Sequence, residues 1–131
     1  MTGAARADHS RFVQRVRRRH AGQLALLAPG VPDGATIAAL VQRLQRDGNG
    51  LPAALRVARQ LVLERLATQD VEQDAPLAAV TGAMTALAET TLEAALAEAR
   101  RETDVRHGAP RSPEGAPIEF WIVGMGKLGA P

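Results

Sequence analysis

Residues 124 to 129 read Gly-Met-Gly-Lys-Leu-Gly, directly after the apolar run Ile118 to Val123. Closely spaced glycines let backbone amides approach phosphate oxygens, and a nearby lysine adds positive charge. Gly124, Gly126, Gly129 and Lys127 are therefore candidate phosphate contacts. The spacing fits G-x-G-x-x-G after a strand, the dinucleotide-binding fingerprint, whose following helix and acidic residue would lie past residue 131. A Walker A loop fits less well, because the lysine precedes the last glycine and no serine or threonine follows it. A purely structural alternative is a tight exit from a strand, with glycines chosen for positive φ.

Other clusters of reactive residue types read as structure. Six arginines up to Arg19 (Arg6, Arg11, Arg15, Arg17, Arg18 and Arg19) face only Asp8. They could meet nucleic acid or an acidic partner, but no aromatic platform accompanies them, so a solvated helix face is the simpler reading. His20 has no second ligand candidate beside it and reads as a packed or edge histidine. Glu89, Glu93 and Glu98 lack a histidine or a second acidic helix, so they read as a solvated face and not a metal site. No catalytic residue and no metal ligand is assigned.

Composition agrees with a helical protein. The 131 residues are 46% apolar, but the only aromatics are Phe12, Phe120 and Trp121. Alanine, leucine and arginine dominate, and all three favour helix. There is no cysteine, which excludes disulfides and thiolate metal sites. No apolar run approaches the length of a membrane span and no secretory signal is visible, so a cytoplasmic location is expected.

Ser10 is positioned to cap a first helix reaching about Leu27, with Val13, Val16, His20, Leu24 and Leu27 as its stripe. After the breaker Ala28 to Gly34, Thr36 is expected to cap a short helix that ends at Gly48-Asn49-Gly50. Pro52 suits the first turn of a third helix, whose inward stripe is Leu51, Leu55, Ala58, Val62 and Leu66. Its Arg56, Arg59, Glu64 and Arg65 are expected to face elsewhere. Asp74 and Pro76 mark the start of one long helix of roughly 30 residues, from Pro76 to the terminator Gly108. Its stripe is Leu77, Val80, Met84, Leu87, Thr91 and Ala95, widened by Leu92, Leu96 and Ala99; Gly82 is its weak point. Residues 1–108 thus form a helical region and 109–117 a linker, with residues 118–131 following. In Ile118 to Val123, Ile118, Phe120 and Ile122 point one way and Glu119, Trp121 and Val123 the other. Both faces are largely apolar, as in a strand covered on both sides. No other segment reads as a strand, so its pairing sheet is expected from elsewhere: either the chain is a fragment, or these residues pair with another molecule.

The longer context carries a resemblance. Glu119 to Ala130 (EFWIVGMGKLGA), preceded by a long helix and RHGAP, resembles the bacterial glutamine synthetase adenylyltransferase/adenylyl-removing enzyme family. LRVARQLVLERLATQDV and MTALAETTLEAALAEA look like the same family's segment before its first catalytic domain. The resemblance implies a mainly α chain: a helical bundle, then the first strand and glycine loop of a truncated α+β nucleotidyltransferase domain of the polymerase β type. It implies Gly124, Gly126, Lys127, Gly129 and Ala130 as phosphate neighbours, with Leu128 completing the motif. The resemblance further implies ATP and Mg2+ as cofactors of the whole enzyme, neither expected to bind this chain tightly, with glutamine synthetase as substrate protein, a PII-type signalling protein as a candidate further partner, and no nucleic acid or membrane. The family's magnesium-holding aspartate pair follows the loop and is not in this sequence, so the chain alone is expected to be inactive. The competing readings are a dinucleotide-binding (Rossmann-type) fragment and a helical protein-interaction module.

Overall fold

The computed structural model describes residues 6–126. Among them are four α-helices and no strand: α1 (Arg11–Arg19), α2 (Gly34–Arg46), α3 (Leu51–Val71) and α4 (Leu77–His107). The chain divides into two compact groupings, one ending at Thr90 and one beginning at Thr91, inside α4.

In the first grouping α3 is the central element and packs against both α1 and α2. Its buried face is wider than the expected stripe. Ala54, Ala58, Leu61, Val62 and Leu66 are buried, whereas Leu51 and Leu55 pack at the margin. A helix covered from two sides buries more than one row of side chains. Val16, Leu27, Ile37, Leu40, Val41, Leu44, Ala83 and Leu87 complete the core.

Ser10 caps α1 as expected, its Oγ accepting from the Val13 amide at 3.4 Å. The helix ends at Arg19, well short of Leu27. His20 leaves helical geometry at φ −117° and ψ 29°, and the amides of Gln23 and Leu24 turn back to its carbonyl. Gly22 follows, and a glycine inside a helix costs about 1 kcal/mol relative to alanine. A 3₁₀ turn at Leu24–Leu26 then lets Leu27 enter the core, where it is buried.

The cap of α2 is Asp33, not Thr36. A capping side chain accepts from an amide two or three positions ahead, and Asp33 Oδ1 takes the Thr36 amide at 2.8 Å. Gly48 at φ +105° stops the helix, and Asn49 donates from both its backbone and side-chain nitrogens to the Leu44 carbonyl. The Thr36 amide holds the Asp33 carboxyl below the ordinary value of 3.8. A depressed pKa stabilises the fold above the unfolded value, and that contribution is lost as pH falls through the folded one. Asp33→Ala is therefore expected to lower the melting temperature at neutral pH. Melts followed by circular dichroism should show the gap to the native chain closing in acid; an equal gap at both pH values contradicts the cap.

Pro52 sits in the first turn of α3, as expected, with Gly50 at the cap. Two α3 residues assigned to an outward face instead point at other elements. Arg65 donates to the carbonyl oxygens of Leu27, Ala28 and Gly30, which pins the connection between α1 and α2. Glu64 is buried.

α4 spans the expected segment, and Gly108 at φ +80° ends it, its amide donating to the Asp104 carbonyl at 2.8 Å. The expected stripe is only partly inward. Val80, Ala83, Ala86 and Leu87 meet the core, while Leu77 and Met84 are exposed. Alanines at 83 and 86 allow a close backbone approach that a Met84-centred face would hold apart. None of the helices among the described residues is long and apolar enough to cross a membrane.

Candidate functional site

The segment leading to the glycines belongs to the second grouping. The linker is a closed turn. Arg111 and Pro117 form an isolated antiparallel bridge, Ser112 donates to the Ala116 carbonyl at 2.8 Å, and Arg111 reaches the Gly115 carbonyl at 2.9 Å. The chain then returns beside the end of α4, where the Ile118 amide meets the Pro110 carbonyl at 3.2 Å.

Ile118 to Val123 does not form the expected strand. It has no ladder partner among the described residues. A strand exists through the hydrogen bonds of its neighbours, and two-faced apolar alternation cannot supply them. Its large side chains are exposed, with Trp121 at 80%. Arg100 holds the start of this segment. Its Nη2 donates to the Ile118 carbonyl at 3.0 Å, and its guanidinium carbon lies 5.1 Å from the Phe120 ring centroid. That distance is within cation–π range. A groove of about 380 Å³ lies alongside, lined by Leu96, Ala99, Thr103, His107 and Phe120 among others.

Of the candidate phosphate contacts, Gly124 and Gly126 fall within the described residues. Gly126 has φ +66°, in the left-handed region that favours glycine. Lys127, Gly129 and Ala130, together with Leu128, lie outside the described residues.

The remaining candidates sit elsewhere. No group of three or more His, Cys, Asp or Glu side chains among the described residues is placed to hold a metal ion. Glu98 pairs with Arg101 at 2.7 Å, and the hydrogen bond from Arg101 holds the Glu98 carboxyl below its usual range. His20 is buried, with Nδ1 2.8 Å from Gln23 Oε1 and Nε2 2.6 Å from Gln60 Oε1. A neutral ring is matched when one of the two carboxamides presents its NH2.

The basic cluster divides. Arg11, Arg15, Arg18 and Arg19 are exposed, whereas Arg17 belongs to a network between α1 and α3. Its Nε donates to Glu64 Oε1 at 2.9 Å and its Nη2 to Thr68 Oγ1 at 2.9 Å, with Glu72 Oε1 3.7 Å away. Glu72 Oε1 also accepts from the Ala7 amide at 2.9 Å. The Glu64 hydrogen bond, the largest influence, raises the Arg17 pKa above the usual arginine range. Sequence reasoning missed this pair, although Glu64 stands three residues after inward-facing Leu61.

These elements define a mainly helical protein whose apolar tail lacks a sheet partner among the described residues. Comparison with known proteins then gives the family. The glutamate-ammonia ligase adenylyltransferase family matches residues 9–131. A bifunctional glutamine synthetase adenylyltransferase/adenylyl-removing enzyme of Aromatoleum aromaticum is 37% identical over 126 residues, covering 94% of this chain and 13% of the relative. Its namesake in Ralstonia nicotianae is 34% identical over 131 residues, covering 93% of this chain and 14% of the relative. That of Burkholderia mallei is 41% identical over 81 residues, covering 62% of this chain and 9% of the relative. No solved structure matches. The chain belongs to the glutamate-ammonia ligase adenylyltransferase family, and it spans about an eighth of the length of the first of these relatives.

Proposed function

We propose that this chain is the helical segment and loop entrance of an enzyme that adenylylates and deadenylylates glutamine synthetase. In one direction AMP moves from ATP to a tyrosine; in the other, phosphate removes it and ADP leaves. The observation that carries the reading is the family match across residues 9–131, which includes the whole glycine loop. In the removing reaction a phosphate oxygen forms a bond to the α-phosphorus, the bond to the tyrosine oxygen breaks, and the phenolate takes a proton. The loop from Gly124 to Ala130 would orient phosphate oxygens with backbone amides, and Lys127 would balance their charge.

The described residues offer magnesium no ligand set. When bound in the whole enzyme it would neutralise phosphate oxygens. This chain's own contribution is positional. Arg100 fixes the start of the segment that leads into the loop, through Ile118 and Phe120. Without the aspartate pair of the family pattern, the 131-residue chain is expected to be inactive. Incubated with adenylylated glutamine synthetase, phosphate and Mg2+, it should release no ADP; with ATP and unmodified glutamine synthetase, it should incorporate no AMP. Turnover that survives rigorous purification and disappears in Lys127→Ala would refute this.

A further inference from the structure

We infer that the cavity between the C-terminal end of α1 and the first half of α3 is a binding site for a compact oxyanion, a phosphate or a small dicarboxylate. The inference is independent of the glycine loop and of the reaction proposed above. α1 and α3 pair antiparallel, since Arg17 meets Glu64 and His20 meets Gln60. Beyond His20 the pairing opens into a cavity of about 250 Å³ lined by Arg19, His20, Ala53, Arg56, Val57 and Gln60.

The positive charge around this cavity is not balanced by nearby carboxylates among the described residues. Arg17, Arg43 and Arg101 have carboxylate partners, and Arg65 is spent on backbone carbonyls. Arg19 and Arg56 are exposed and have no acidic side chain within 4 Å among the described residues. From Arg11 to Leu63 the only acids are Asp33 and Asp47. Asp33 caps α2 and Asp47 pairs with Arg43, so neither belongs to α1 or α3. Arg15, Arg18 and Arg59 add to the positive field on these two helices.

The lining suits one oxyanion. Guanidinium groups bind carboxylate and phosphate through paired N–H donors. His20 and Gln60 are held in place by their mutual hydrogen bond at Nε2, and Gln23 holds the ring's other nitrogen, Nδ1. Ala53 and Val57 form the apolar part of the wall. The volume lies below the roughly 300–1,000 Å³ of sites for drug-sized ligands, so a single charged head group fits better than a nucleotide.

The test is calorimetric titration of the 131-residue chain with inorganic phosphate and, separately, with succinate, at constant ionic strength set with chloride. Saturable binding of either ion is expected, and the tighter of the two identifies the source. Arg19→Gln with Arg56→Gln should weaken it by at least about tenfold, the loss of a charge-assisted contact. Arg15→Gln with Arg18→Gln removes the same charge outside the cavity and should leave the affinity nearly unchanged. In the native chain the Gln60 side-chain amide resonances should shift in step with saturation, a readout that needs no variant. Equal weakening in both double variants overturns the site, since it would reflect diffuse charge alone. So does the absence of saturation at millimolar ion, or binding of acidic polypeptide without response to either small ion.

Discussion

Leu61→Ala is expected to cost about 2–5 kcal/mol of stability, the range for deleting a fully buried leucine side chain. Leu61 is 0% exposed and lies in the same buried cluster as Val16 of α1 and Leu44 of α2. The loss combines the missing transfer free energy with the cavity left behind, and a helix packed on two sides has little freedom to collapse into it. Domains of this size are stable by only about 5–15 kcal/mol, so the variant should unfold at markedly lower urea and melt roughly 6 °C or more earlier. Leu77→Ala is the contrasting case. Its side chain is 76% exposed, and an exposed truncation of this kind should stay within about 0.5 kcal/mol. Urea titrations of the two variants decide the matter. Similar midpoints would mean that α3 is not the centre of the fold.

Arg17→Ala carries the second large effect, about 2–3 kcal/mol. Breaking a fully buried pair costs about 3–5 kcal/mol, chiefly because a charge is left buried without its partner. The Glu64 side chain is 11% exposed and that of Arg17 is 30% exposed, so water relieves part of the penalty. After the substitution, Glu64 Oε1 keeps only the Thr68 hydroxyl at 3.1 Å. Replacing both partners by apolar residues, Arg17→Met with Glu64→Leu, should recover most of the loss, because neither charge then remains to be desolvated. A double-mutant cycle measured by urea unfolding gives the coupling directly. Additive single losses would place the two groups in independent, solvated positions. The pH sign follows from the raised Arg17 pKa. A raised folded pKa contributes stability at every pH below the ordinary arginine value, and loses it only as pH rises through the folded one. Arg17 titration therefore adds no pH dependence between neutral and moderately alkaline conditions.

The helical architecture was legible because its signals are local. Ser10 as a cap, Pro52 in a first turn, Gly48 after α2 and Gly108 after α4 each act on the few backbone groups beside them. Misplacements arose where two local solutions compete. Asp33 and Thr36 are both good caps, and the amide of one became the donor to the other. The Gly124–Gly126 pattern was legible as a motif, and the family match includes it. A strand at Ile118 to Val123 was not obtained, because a strand is a relation between segments and this one has no partner among the described residues.

The amino-acid order alone thus determined that four helices form, where Ser10 and Pro52 open two of them, and where Gly48 and Gly108 stop two. Torsional preference and capping are settled within a turn or two of chain. Only the tertiary structure decided that Arg17 leaves the basic cluster for Glu64, 47 residues away, and that Ala83 and Leu87, not Met84, face the core. It also decided that Arg19 and Arg56 line one cavity. Those choices depend on which helices approach one another and how closely, and no short window of sequence contains that distance.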